Sequence, residues 1–189
     1  MYSSLRLLII FCLLLLFISS RNLIAQVNGQ SSAKNSIEKA DENLLDRIAS
    51  GENYVGNIRN YYEMILETDS INYDALTNLG VIFQQMGELE KSLRYFQKAA
   101  KFHPQKPRAF HNLGILYSLM NRLDDAVINL NKAAELSSTS PNSVRQLGII
   151  YLQNEMFREA IESFERALSR DYFDVESRLG KALTFFLVT

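Results

Sequence analysis

Asn78–Gln84 reads NLGVIFQ, Asn112–Ser118 reads NLGILYS and Gln146–Leu152 reads QLGIIYL. Each of these stretches contains a Leu-Gly pair, and the three glycines, at positions 80, 114 and 148, are separated by 34 residues. A constant step of this length is the signature of an architecture in which similar structural units are stacked along the chain. The three matching stretches therefore predict a repeat protein.

Other residue types recur at the same step. An aromatic residue follows each glycine by three positions, a small residue by 12, a large apolar residue by 16 and an alanine by 19, giving Phe83/Tyr117/Tyr151, Ser92/Ala126/Ala160, Phe96/Leu130/Phe164 and Ala99/Ala133/Ala167. This pattern predicts two short amphipathic helices in each unit, with small residues where two backbones come close. A single helix pair cannot bury its own apolar face, so neighbouring units must supply the core.

The pattern resembles the tetratricopeptide repeat, a 34-residue helix-turn-helix unit. The resemblance implies an all-α fold, a right-handed superhelical solenoid with regular units at 73–106, 107–140 and 141–174. Residues 37–72 are similar to a degenerate first unit, in which Ile58, Tyr62 and Ile65 stand 34 residues before Ser92, Phe96 and Ala99.

Residues 175–189 form an incomplete unit or a terminal helix. Strict spacing places Lys181-Ala182 at the Leu-Gly positions, but the visible pair, Leu179-Gly180, comes two residues earlier. Either a loop has shortened or the resemblance ends there. The apolar end of the sequence indicates a truncated product or a helix that packs against a partner, with self-association of the chain as one form of that packing.

Helix boundaries follow from local chemistry. Pro107 and Pro141 are expected at the start of a first helix, where a missing N–H group costs nothing. Ser140 is expected to cap the second of these helices. The turns inside the three units are predicted at Gly87, Asn121 and Asn154, because glycine and asparagine tolerate left-handed backbone conformations.

The N-terminal 1–25 segment has the features of a signal peptide or signal anchor. Arg6 precedes an unbroken apolar run, Leu7–Ile18, whose 12 residues suit a signal peptide and are fewer than the roughly 20 that a membrane-spanning helix needs. Residues 26–36 are polar and read as a flexible linker. We therefore expect an exported protein (secreted, periplasmic or lumenal), or one anchored in a membrane by an uncleaved segment.

The amino-acid composition argues against several classes of function. Of the 189 residues, 47% are hydrophobic and 22% are charged, and the net charge of −1 gives no support for nucleic-acid binding. Cys12 is the single cysteine, so the sequence offers no disulfide and no cysteine-based metal site. Neither His103 nor His111 stands at a recognised spacing from other metal ligands, and phosphate-binding or nucleophile motifs are missing. We expect no catalytic residue, no metal and no cofactor.

In the repeat family, the first helices of successive units line a concave groove. By this resemblance the candidate peptide-binding residues are Thr77, Asn78, Val81 and Gln84 in one unit, Arg108, His111, Asn112 and Ile115 in the next, and Arg145, Gln146 and Ile149 in the third. The amides of Asn78, Asn112 and Gln146 can each donate and accept a hydrogen bond, so they could pair with the backbone of an extended peptide. The alternative is that these amides only face water.

Some family members clamp an acidic C-terminal peptide with cationic groove residues. Arg108 and Arg145 do not stand at the positions that this clamp requires, so we expect ion pairs on the helix surface instead. The most favoured function is a non-catalytic scaffold or adaptor that binds a protein or peptide of unknown identity. Two alternatives stay open: a truncated substrate-recognition arm of a larger enzyme such as a glycosyltransferase, and a membrane-anchored subunit of an envelope or organelle assembly.

Overall fold

The computed structural model describes residues 54–188. Within this part of the chain all regular structure is helical: α1 Tyr54–Thr68, α2 Tyr73–Gln85, α3 Leu89–Phe102, α4 Pro107–Leu119, α5 Leu123–Leu136, α6 Asn142–Gln153, α7 Phe157–Arg170 and α8 Val175–Val188. The chain divides into two compact units at Asn57 and Ile58, and helices α2 to α8 lie in the second, Ile58–Thr189. The predicted all-α repeat fold is confirmed.

The helices pair as the 34-residue step predicts. The regular units correspond to α2 with α3, α4 with α5 and α6 with α7, and each second helix also packs against the first helix that follows it. Helix α1 covers the residues in which a second helix of a degenerate unit was predicted, and that it belongs to such a unit stays a prediction. The first helix of that unit, the linker and the signal segment fall outside the described residues. Within residues 54–188, no helix has the length and apolar character that crossing a membrane requires.

The Leu-Gly glycines allow the two helices of a unit to touch. A Cβ atom added at Gly80 would lie 2.3 Å from the Phe96 ring, and one at Gly114 would lie 2.4 Å from Leu130. Both large side chains are fully buried. The repeated small and large residues are therefore the two halves of one contact, which is why they recur together along the sequence.

All three predicted residues lie in the turns of their units. Gly87 has φ 76° and Asn121 has φ 58°, but in the third unit the left-handed residue is Glu155, with φ 59°, the neighbour of Asn154. Glu155 keeps the 34-residue step, whereas Asn154 ends α6 with its side chain donating to the Ile150 carbonyl at 2.8 Å.

The start of α6 also differs slightly from expectation. Pro107 is the first residue of α4, as predicted, but Pro141 lies one position before α6 rather than inside it. The Ser140 hydroxyl accepts a long hydrogen bond, 3.4 Å, from the backbone N–H of Asn142. The N-cap residue of α6 is Pro141, and no side chain caps the helix, so the predicted cap by Ser140 is not confirmed.

Helix α8 keeps the strict 34-residue step: it begins at Val175, two such steps after Pro107, and its buried Ser177 and Thr184 stand 34 positions after the buried Ser143 and Ile150. Gly180 meets Phe164 on the preceding helix α7, whereas Gly80, Gly114 and Gly148 meet a side chain on the helix that follows them, so Leu179-Gly180 does not take the Leu-Gly place. Helix α8 packs on α7 as a first helix does on the unit before it.

Candidate peptide-binding face

The predicted contact residues all lie on α2, α4 and α6, the first helices of the regular units, and these helices contact one another in order. We call the surface that they share the first-helix face. Its predicted members are Thr77, Asn78, Val81, Gln84, Arg108, His111, Asn112, Ile115, Arg145, Gln146 and Ile149. The structure places these residues in three different environments: an apolar row, a set of polar cross-links and a group of buried amides and hydroxyls.

The apolar row consists of Val81, Ile115 and Ile149, one from each helix. All three are partly buried, and the 34-residue step puts them at equivalent places on adjacent helices. Leu119, on α4, is 58% exposed and extends the apolar surface by one turn. A partner with apolar side chains could cover this row without displacing any hydrogen bond of the protein.

A polar chain connects α1, α2 and α4. The Nη2 atom of Arg108 donates to the Asn78 side-chain oxygen at 2.6 Å, and its Nη1 atom lies 4.0 Å from the Asp74 carboxylate. Burial raises the pKa of Tyr62 on α1, as does the neighbouring Tyr61, while a side-chain hydrogen bond with Asn78 acts in the opposite direction. The Asn78 amide is thus already engaged by two neighbouring helices.

Two further contacts connect α4 to α6 and α6 to α8. The His111 Nδ1 atom lies 3.0 Å from the Ser143 hydroxyl. Arg145 forms ion pairs with Asp174 at 2.7 Å and with Glu176 at 2.8 Å, and the Asp174 side chain is only 6% exposed. This geometry agrees with the expectation that the arginines form ion pairs on the helix surface. Because two carboxylates already pair with the Arg145 guanidinium, it is poorly placed to attract a negatively charged ligand.

The polar residues in the middle of the first-helix face differ in how exposed they are to solvent. Thr77 is fully buried and its hydroxyl donates to the Tyr73 carbonyl at 3.0 Å, so it supports α2 and cannot touch a ligand. Gln146 is 8% exposed. The Nδ2 atom of Asn112 is buried and has no hydrogen-bond partner among residues 54–188. A buried donor without an acceptor is rare because it costs about 1–3 kcal/mol.

The histidines have structural partners. His103 Nε2 lies 2.6 Å from the Ile71 carbonyl oxygen, and its ring meets Tyr73 edge-on with a centroid distance of 5.2 Å. Within the part of the chain that the structure describes, no cluster of three or more His, Cys, Asp or Glu residues could hold a metal ion.

Sequence reasoning did not identify Asp174, Glu176 and Ser143 as partners of the first-helix face. Asp174 immediately precedes α8 and Glu176 lies in its first turn, so both carboxylates meet Arg145 on the adjacent helix α6. A search for carboxylates about 30 positions after each arginine would have found them.

Comparison with protein families supports the repeat assignment. Two family models, both described as tetratricopeptide repeat, match residues 71–139 and 145–187, which together make up more than half of the chain. A comparison of the sequence with curated proteins finds no match.

Solved structures with the same fold are numerous. A crystal structure of MamA aligns with a TM-score of 0.64 at 20% identity, covering 76% of this chain and 83% of that one. A tetratricopeptide repeat protein from Parabacteroides merdae aligns at 0.63 and 22% identity, covering 82% of this chain and 59% of that one.

A third solved structure contains a ligand. The first TPR of Spaghetti (RPAP3), bound to the HSP90 peptide SRMEEVD, aligns with a TM-score of 0.56 at 17% identity, covering 62% of this chain and 94% of that one. At these identities the likeness concerns the fold alone. The family models, the repeat spacing and the helix pairs agree, and the chain is a tetratricopeptide-repeat protein.

Proposed function

We propose that the chain is a non-catalytic interaction module that binds a peptide or a helix of another protein on its first-helix face. The observation that carries the proposal is the apolar row Val81, Ile115 and Ile149, which repeats across three adjacent helices and is still partly exposed. Burial of apolar area is the main favourable term in most protein associations. The Spaghetti structure supports the proposal because a related repeat holds a short peptide.

The chemistry of the face favours a partner with apolar side chains over an acidic C-terminal tail. Arg145 is neutralised by Asp174 and Glu176, and Arg108 donates to Asn78. A carboxylate ligand would have to compete with these contacts for the guanidinium groups. An apolar side chain that packs on Ile115 would displace none of these contacts.

The Asn112 amide offers the partner a polar anchor once its side chain turns outward. Its Nδ2 atom is buried and lacks an acceptor within residues 54–188, although the residue as a whole is partly exposed. A rotation of the side chain would bring this donor to the surface, where a backbone carbonyl of a bound peptide could accept from it and remove the cost of the unpaired donor. Of the three amides that the sequence suggested as peptide contacts, Asn112 is therefore the best candidate. The Asn78 side chain already accepts a hydrogen bond from Arg108, and Gln146 is nearly buried.

The spacing of the row restricts the partner's geometry. Adjacent packed helices lie about 8–10 Å apart. A helical partner would match this spacing with apolar residues seven positions apart, since seven residues rise about 10.5 Å. A polyproline II peptide would match it with residues three apart, about 9.3 Å.

Selection of peptides from a display library on the full chain, followed by fluorescence-anisotropy titration, tests the proposal. We expect Ile115→Asp to weaken binding about tenfold or more, because the variant removes an apolar contact and buries a charge. Asn112→Ala should weaken binding less, by a few fold. Ile128 on α5 is 65% exposed, and Ile128→Asp is the matched control that should bind normally. Equal loss in both aspartate variants would contradict the proposed site.

We further propose that the protein works outside the cytosol, either exported after cleavage or anchored through Leu7–Ile18. The support is the apolar run with its preceding Arg6. Sequencing the N-terminus of the mature protein distinguishes cleavage, which would give a new end near Ala25, from anchoring, which would leave Met1 or its neighbours in place.

A further inference from the structure

The apolar row of the first helices continues onto α8. Val81, Ile115 and Ile149 are separated by 34 residues, and one further step of 34 leads to Leu183. Leu183 is partly buried, as the other three are. An apolar residue in a similar environment therefore occupies a fourth position of the row.

The register of α8 places Leu183 on the same side of its helix as the other members of the row. Ser177 and Thr184 are buried, and they stand 34 positions after Ser143 and Ile150, which are buried on α6. Because α8 turns the same positions inward as α6 does, it also turns the same positions outward.

Contacts between successive first helices also continue to α8. Arg108 on α4 donates to Asn78 on α2, and Glu176 on α8 forms its ion pair with Arg145 on α6. Arg108 and Glu176 are separated by two steps of 34, so the same position of the unit reaches back to the preceding first helix in both cases. Helix α8 is thus a fourth member of the first-helix face.

The position that Leu183 occupies stays accessible inside a stack. Val81, Ile115 and Ile149 are each followed by another first helix, α4, α6 and α8 respectively, and all three are still only partly buried. A first helix that follows in the stack therefore does not close this position, and access to Leu183 is a property of the repeat.

We infer that the first-helix face, extended by α8, binds an extended peptide of at least ten residues with apolar side chains at every third position, and that Leu183 contacts the fourth of them. This inference rests on the proposed function and specifies the partner. Four helices with a spacing of about 8–10 Å place the ends of the row about 24–30 Å apart. Ten residues of polyproline II span nine rises of about 3.1 Å, or about 28 Å.

Polar side chains beside the row favour an extended peptide over a helix. The Asn112 amide precedes Ile115 by three positions, and Gln85 and Gln153, which follow the first and third residues of the row by four positions, are exposed. A helix uses its carbonyl groups for its own hydrogen bonds. A polyproline II peptide has no internal hydrogen bonds, so its carbonyl groups are available to these amides.

Selection on the full chain from two display libraries tests the choice of partner. One library contains random peptides of about 12 residues, and the other contains helices of about 24 residues with apolar residues seven positions apart. We expect binders from the first library that have four apolar residues, each three positions from the next. Binders from the helix library alone, or short binders without this pattern, would overturn the inference and leave the proposed function standing.

Leu183→Asp tests the fourth contact in fluorescence-anisotropy titrations with a selected short peptide. We expect about tenfold weaker binding, and a smaller loss for Leu183→Ala, because one apolar contact is removed. A shortened peptide with three apolar residues should bind Leu183→Asp and the unaltered chain equally, since three helices hold it. Ala182→Asp, at an exposed neighbouring position of α8, is the matched control and should bind normally.

The inference and the proposed function fail in different ways. If Ile115→Asp weakens binding of the selected peptide and neither substitution of Leu183 does, the peptide does not reach α8, and only the inference is overturned. If substitutions at both positions leave the affinity unchanged, the proposed function is contradicted as well. Equal losses in Leu183→Asp and Ala182→Asp would indicate a disturbed α8 and would also overturn the fourth contact.

Discussion

One residue with a positive φ closes the turn between the helices of each regular unit: Gly87, Asn121 and Glu155. The left-handed conformation costs an ordinary L-residue roughly 1–2 kcal/mol, less for asparagine and almost nothing for glycine. The three turns are therefore built with the same geometry and with increasing strain along the chain.

Replacing Glu155 by glycine should stabilise the protein. We expect a gain of about 1 kcal/mol in the free energy of unfolding, because the strain at φ 59° disappears and part of the gain is lost to the greater freedom of glycine in the unfolded chain. Urea denaturation followed by circular dichroism measures the gain. Glu155→Ala keeps the strain and should gain nothing; an equal gain from alanine would show that the backbone is not the cause.

The sequence predicted the residues of the core better than those of the binding face. Phe96 and Leu130 could be assigned as core residues because their partners, Gly80 and Gly114, recur at a fixed distance in the same unit. Thr77, by contrast, stands at a groove position of the family and is fully buried. Exposure at such a position depends on how neighbouring units pack, which the repeat pattern does not encode.

At the scale of the helices, the contact between α6 and α8 is made by charged and hydroxyl side chains. Arg145 bridges Asp174 and Glu176, and the Ser177 hydroxyl donates to the second Asp174 oxygen at 2.5 Å. The helix bounds themselves could be predicted from repeat spacing, proline and glycine. This junction could not, because the repeat pattern does not encode which side chains of neighbouring first helices form ion pairs.

Arg145→Gln should weaken the attachment of α8. The substitution leaves the Asp174 carboxylate, 6% exposed, without its cation, and we expect a loss of about 2 kcal/mol, below the 3–5 kcal/mol of a fully buried pair because Arg145 is 19% exposed. Amide hydrogen exchange, measured on the variant and the unaltered chain, should become faster in α8 before it does so in the other helices.

Arg108→Gln is the comparison for that variant. Its ion pair with Asp74 spans 4.0 Å between side chains that are 45% and 72% exposed, so its loss should cost well under about 1 kcal/mol. Equal effects of the two substitutions on stability would contradict the proposed role of Arg145.

At the scale of the whole molecule, the first-helix face is built from all three regular units. Because each unit of a repeat stack contacts mainly its neighbours, stability is close to a sum over adjacent pairs, and a substitution on one unit should leave distant units folded. The fold was predictable from one repeated step, but the partner was not, since the same scaffold serves many functions.

The most direct test of the account is photo-crosslinking to a display-selected peptide, with a photoreactive phenylalanine analogue placed at position 115 or, in a second preparation, at position 128. Both side chains are apolar and accessible, but only the first lies on the first-helix face. The account predicts a crosslink to the peptide from position 115 and none from position 128. A crosslink from position 128 with none from position 115 would contradict it.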